Sequence, residues 1–164
     1  MLPKRKPFKG VRVSALVPVF DTFLCYNSED RIAVEGIGFQ LVEQGLKPWF
    51  DEWEIRPGVR WQRLLEEQIL QIKSATVFIG ESGIGPWQHL EIEAFLSEFI
   101  KRQCPIIPVI LSSYSDLEDP NLPVFLRGIQ RVDFRKNVPD PLDRLIWGIT
   151  GKRSIGTNGN GRIK

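Results

Sequence analysis

The sequence predicts a doubly wound α/β sandwich, a parallel sheet with helices on both faces, and three observations carry that expectation. Five short runs are nearly all apolar, as strands covered on both faces require. Between them lie amphipathic or turn-forming stretches that can cross back over a sheet. The composition, 42% hydrophobic and 26% charged over 164 residues, is that of a globular chain with one core and no room for two.

Residues 20–26 (FDTFLCY) read as the first buried strand. Asn27 and Ser28 offer capping oxygens for a helix over about 30–44, in which Ile32, Val34, Ile37, Phe39 and Leu41 permit a packed face and which Gly45 stops. Residues 46–51 form the second strand. A loop follows over 52–60, because Pro57 presets φ and Gly58 accepts φ > 0. Trp61, Leu64, Leu65, Gln68, Ile69 and Ile72 then recur at helical spacing and predict a helix over 61–72. Residues 74–80 (SATVFIG) are β-branched and apolar, hence the third strand. The Gly-rich loop 81–86 (ESGIGP) ends on Pro86, suited to a first helical position, and a helix runs to about 102. Residues 105–111 (PIIPVIL) are the fourth strand, 123–127 a short helix, 128–135 the fifth strand and 139–150 the last helix. Residues 11–17 fit either an edge strand or a segment outside the sheet. The whole is a flavodoxin-like fold with strand order 2-1-3-4-5, a domain over 19–150 between a basic segment, 1–18, and a Gly/Asn-rich tail or linker, 151–164.

Several function classes fall away. Nine of the 22 lysines and arginines lie in residues 1–12 and 152–164, which hold no acid, so 13 bases face 20 acids in the body and leave it at −7. An acidic body without a basic helix stripe argues against nucleic acid as a partner. The longest apolar stretch, 13–20, is broken by Pro18 and is far short of the ~20 residues that span a bilayer, so no membrane span is expected. Lys4, Arg5 and Lys6 precede that stretch, yet Pro18 and the lack of a small-residue cleavage site before Asp21 speak against a signal peptide. Cys25 and Cys104 each sit in a strand-like run, where a free thiol behaves as a small hydrophobe; a reducing cytoplasm is the simplest setting. A single histidine, His89, and no metal-ligand spacing make neither a zinc site nor a Ser-His-Asp triad, and no metal is expected.

In such a sheet the ligand crevice lies beyond the carboxyl ends of strands one and three. That selects the loops at 26–30 and 80–91, with 52–61 as the rim. No P-loop occurs, Gly83-Ile84-Gly85 lacks the third glycine of a dinucleotide fingerprint, and Gly80 stands where a receiver domain needs its phosphoacceptor aspartate, although Glu29 and Asp30 could supply the acidic cluster. The crevice does offer Glu91, four residues after Trp87 and so on the same helical face. Ser82, Gly83 and Gly85 precede a helix N-terminus whose unpaired N–H groups favour a pyrophosphate. An aromatic plate, an anion nest and one acid suit a dinucleotide; Trp87 as a core residue and Glu91 as a charge complementing the helix dipole fit the same pattern.

Five ordered segments carry a resemblance: FDTFLCYNSEDR, GLKPWFDEWEIRPGVRW, SATVFIGESGIGPWQHLEIEAFL, CPIIPVIL and FLRGIQRVDFR. Over about residues 19–150 the chain resembles a Toll/interleukin-1 receptor (TIR) domain of bacterial type. That resemblance implies cleavage of NAD at the nicotinamide–ribose bond, with NAD as substrate and no cofactor. It implies Glu91 as the catalytic carboxylate, Trp87, Trp61, Tyr26, Asn27 and Ser28 in the nucleotide pocket beside Ser82, and Arg56, Pro57 and Gly58 in a loop used for self-assembly and access. Trp53 is expected exposed, a possible interface anchor. Because nicotinamide leaves neutral, no general acid is needed, and one carboxylate stabilising an oxocarbenium-like transition state suffices, unlike O-glycoside hydrolysis. Attack by water gives ADP-ribose, and capture by an adenine nitrogen gives a cyclic product. Companion domains in a longer parent protein and a role in bacterial immunity are further implications. Non-enzymatic adaptors share the fold, so a homotypic scaffold is the alternative function.

Overall fold

The computed structural model describes residues 19–83, 89–115 and 122–154. The expectations for 1–18, including an edge strand at 11–17, for Pro86 and for 155–164 lie outside the described residues. Five parallel strands stand in the order β2-β1-β3-β4-β5: β1 (Thr22–Cys25), β2 (Pro48–Trp49), β3 (Ala75–Ile79), β4 (Ile106–Ile110) and β5 (Val132–Asp133). The helices are α1 (Arg31–Glu43), α2 (Asp51–Glu54), α3 (Trp61–Gln68), α4 (His89–Lys101), α5 (Val124–Arg127) and α6 (Pro141–Thr150). This is the flavodoxin-like architecture that the alternation of runs predicts. Among the described residues no helix is long and apolar enough to cross a membrane.

Alternation along the strands divides the core. Phe23, Cys25, Val77 and Ile79 pack on one face beneath α3, α4 and α5, with Leu65, Leu96, Phe99 and Leu126 above them. Leu24, Phe78, Ile107 and Val109 pack on the other beneath α1 and α6, against Val34, Leu41, Leu145 and Ile149. The central strands β1, β3 and β4 are buried throughout, which is why their sequences show no polar alternation. Pro108 is tolerated inside β4 because odd-numbered positions there face β3, as Leu111 N–H to Ile79 O shows, so its nitrogen faces β5 one residue before pairing begins at Val109–Val132.

Several elements depart from expectation. The edge strands β2 and β5 shrink to two residues each, since an edge has one neighbour to pair with and the flanking residues are drawn into helix or turn contacts. Part of the loop expected at 52–60 is the short helix α2, whose first turn holds Asp51, Glu52 and Glu54, charges that suit a helix N-terminus. The helix expected over 61–72 tightens to a 3-10 turn at Ile69–Gln71. On α1, Val34, Ile37 and Leu41 are buried as expected, but Ile32 and Phe39 are 78% and 53% exposed, because they lie on the flank away from the sheet. Cys104 precedes β4 and is half-buried, whereas Cys25 is inside β1.

Candidate functional site

β1 and β2 end side by side, and beyond their carboxyl ends opens a cavity of about 560 Å³. Its walls include Tyr26 at the end of β1, Trp49 on β2, Asp51 and Glu52 at the start of α2, Val59 of the following loop and Trp61 at the start of α3. The cavity is thus aromatic with acidic corners, and none of its lining residues among those described is basic.

The side chains around it are fixed by one another. Tyr26 stacks on Phe50 with ring centroids 5.2 Å apart, and its hydroxyl donates to Asp51 Oδ1, which also accepts the Glu52 N–H. Burial first, then the bond to the Asp51 carboxylate, raises the Tyr26 hydroxyl far above the ordinary tyrosine range, so it acts as a donor at any physiological pH. Burial, reinforced by Asp51, likewise pushes the Cys25 thiol up to about 12. Trp49 is core: 1% exposed, stacked on Phe23 at 4.9 Å, with its indole N–H donating to Gln68 Oε1. Trp61 is 39% exposed and stands on the ridge between this cavity and a groove walled by α3 and α4.

The residues expected at the site divide into groups. Tyr26 and Trp61 meet at the cavity. Asn27, Ser28 and Ser82 do not line it. Asn27 is buried and hydrogen-bonded to the Ser82 carbonyl, while Ser28 is exposed at the start of a 3-10 turn, Ser28–Asp30, capped by Asn27 alone. Trp87 lies outside the described residues. Glu91 is the third residue of α4, and the side chains of residues 89–92 lie outside what is described. The backbone of α4 still fixes its position: Glu91 shares a helical face with Phe95, one turn nearer the N-terminus, and Phe95 packs at 4.7 Å on Phe23, a residue of the cavity floor. Glu93 lies off that face and is exposed.

Arg56, Pro57 and Gly58 are exposed as a turn closed by Val59 N–H to Arg56 O, and Gly58 has φ +89°. Trp53 corrects an expectation. Instead of standing exposed it is half-buried against Phe39 and Phe50 at 4.9 and 5.1 Å, and its indole N–H donates to Glu35 Oε1. The close approach of Gly38, whose Cβ would stand 3.2 Å from the Trp53 ring, lets the indole lie down on α1.

Two features escaped sequence reasoning. Asp51 was hidden inside a strand-and-loop assignment, although an acid directly after a strand's carboxyl end in a doubly wound sheet is a signal of the crevice. The seat of Asp30 is the second: a Cβ on Gly80 would lie 2.4 Å from both Asp30 carboxylate oxygens, so the carboxylate occupies the space over Gly80, directly after β3. Asp30 Oδ2 is buried and has no hydrogen-bond partner among the described residues. Burial, and then Glu29 and Glu81, raise its pKa above the ordinary 3.8.

A family model described as TIR domain matches residues 22–146. No curated protein matches the chain. Among solved structures, the chain is similar to the TIR domain of the Toll-related receptor TRR-2 from Hydra magnipapillata, at 20% identity and a TM-score of 0.53, covering 71% of this chain and 86% of that one. It is also similar to a metazoan TIR-STING receptor from C. gigas, solved alone and in complex with 2',3'-cGAMP, at 20% identity and TM-scores of 0.63 and 0.65. Those matches cover 83% and 82% of this chain but 41% and 40% of the receptor chains, so it spans about two fifths of their length.

Proposed function

Because this chain belongs to the TIR domain family, whose members are signalling scaffolds or NAD-cleaving enzymes, we propose that it cleaves NAD at the nicotinamide–ribose bond and is switched on by self-association. The observation that carries the reading is the cavity beside β1 and β2: about 560 Å³, walled by Tyr26, Trp49 and Trp61, cornered by Asp51 and Glu52. Aromatic faces and carboxylates, with no basic residue among the described lining, favour a flat cationic ring such as the nicotinamide of NAD. Glu91, on the α4 face that Phe95 turns toward Phe23, is the carboxylate we assign to the reacting ribose. As the C–N bond breaks, its electron pair goes to the pyridinium nitrogen, nicotinamide leaves neutral, and the positive charge moves to the ribose. A fixed negative charge there is worth more in the transition state than in the ground state. Water then completes hydrolysis to ADP-ribose, or an adenine nitrogen closes a cyclic product.

Self-association is assigned to the exposed turn at Arg56, Pro57 and Gly58, which adjoins the cavity wall at Val59, so contact between copies could reshape the pocket mouth. That coupling would make activity depend on concentration. The same exposed turn also favours the second reading, a scaffold that recruits partners by homotypic contact.

The test is incubation of the concentrated chain with NAD under crowding and chromatography of the products. Release of nicotinamide is expected, with Glu91→Gln reducing turnover by ~10²- to 10³-fold and Glu93→Gln leaving it unchanged. A folded chain that leaves NAD intact at every concentration tested would select the scaffold.

A further inference from the structure

We propose that Asn27 is a positioning residue that fastens the turn leaving β3 to the turn leaving β1, and thereby sets where the chain departs toward α4 and Glu91. The inference rests on the proposed NAD cleavage for its kinetic consequence and on hydrogen bonding alone for its structural one.

The side chain is 8% exposed, and both ends of its carboxamide are engaged with protein. Oδ1 accepts the Glu29 N–H at 3.1 Å, and Nδ2 donates to the Ser82 carbonyl at 3.2 Å, across 55 positions of sequence. A carboxamide offers acceptor and donor on one planar group, so it can hold an N–H on one side and a C=O on the other; a carboxylate can only accept. Two further contacts run across the same seam. Ser82 Oγ donates to Glu29 Oε2 at 3.5 Å, and the Asp30 carboxylate fills the space over Gly80. The turn itself is closed by Gly83 N–H to Gly80 O at 3.1 Å. Among the described residues, 80–83 are therefore held from the β1 side.

This seam accounts for the placement of Asn27 away from the cavity that Tyr26 and Trp61 line. An amide already spent on Glu29 and Ser82 acts on a bound nucleotide through the loop it positions. Its loss should then lower the rate at which bound NAD reacts more than the binding of NAD, since small displacements of a catalytic group cost ~10²-fold in rate.

Two variants keep the cap on Glu29 N–H and remove the link to Ser82: Asn27→Asp, which turns an acceptor toward the carbonyl, and Asn27→Ser, which is too short to reach it and is an equally good capping residue. If one fails to fold, the other carries the test. Amide hydrogen exchange of residues 80–83 and steady-state NAD cleavage are measured on the full chain. Faster exchange at 80–83 with β1 and β3 unchanged, and kcat lowered ~10- to 100-fold at a KM within about twofold, are expected. Unchanged exchange at 80–83 overturns the proposal whatever the activity, and a raised KM at preserved kcat overturns it in favour of direct substrate contact. If the unaltered chain does not cleave NAD, the enzymatic reading fails and its kinetic corollary with it, while exchange still decides whether the seam exists.

Discussion

A single carboxylate explains why glycine follows β3 at position 80. Any side chain at position 80 would place its Cβ 2.4 Å from both Asp30 oxygens, so the Asp30 carboxylate or the loop that carries it must shift. Gly80→Ala is expected to destabilise the fold by ~1–3 kcal/mol, the range of overpacking. Asp30→Ala should restore most of that loss in the double variant, because the two positions share one contact; equal losses from Gly80→Ala in both backgrounds, measured by denaturant unfolding, would show the contact to be unimportant. The same carboxylate has a pH signature. Its folded-state pKa is raised, chiefly by burial, so between 3.8 and that higher value the folded chain holds more protons than the unfolded chain, and stability falls as pH rises through the window. Asp30→Asn should therefore raise Tm at pH 7, with the gain fading as pH drops below 3.8. Asp133 behaves in the opposite sense: hydrogen bonding to Arg135 lowers its pKa, so the stability it contributes is present at neutral pH and lost as pH falls through that lowered value. Asp133→Asn should lower Tm at pH 7 and lose its effect in acid.

Elements differ in what they lose when an aromatic residue is cut away. Trp49 on β2 is enclosed, and Trp49→Ala should cost ~3–5 kcal/mol, as truncation of a buried aromatic does. Trp61 begins α3 half in solvent, so Trp61→Ala should leave Tm nearly unchanged while weakening the proposed NAD cleavage about tenfold or more, given stacking worth ~1–3 kcal/mol per base. Unfolding of the Trp61 variant would assign that indole to the core. The loop between α2 and α3 poses a conformational question. Among the described residues nothing lies within 4 Å of a Cβ at Gly58, but φ is +89°, where a β-branched residue is strained. Gly58→Val is expected to reshape the exposed turn without touching the sheet. Sedimentation velocity should show weaker self-association at unchanged Tm, and association insensitive to this change would move the interface elsewhere.

At the scale of the whole molecule, the order of elements was legible because buried parallel strands leave continuous apolar runs, and 74–79 or 105–111 can be little else. What was not legible involves partners distant in sequence. The bond from Asn27 to Ser82 and the seat of Asp30 over Gly80 join loops about fifty residues apart and leave no periodic trace. Trp53 read as exposed because its burial depends on Gly38, a contact across two helices. The lengths of β2 and β5 depended on where neighbours end, which local propensity does not encode. The two cysteines test how firmly this assembled sheet is closed. Cys25 lies in β1 between β2 and β3, and β1 carries Tyr26 and Asn27 at its end, so any opening that exposes the thiol also dismantles the cavity wall. With its pKa pushed up to about 12, almost no thiolate exists near neutral pH even when reagent arrives. Cys104, half-buried before β4, has no such enclosure. An aromatic disulfide reagent should therefore titrate one thiol quickly in native buffer, while Cys25 reacts at a rate that rises with denaturant in step with global unfolding. Rapid modification of both thiols in native buffer would mean that β1 opens locally, and a site resting on its carboxyl end would then have no rigid floor.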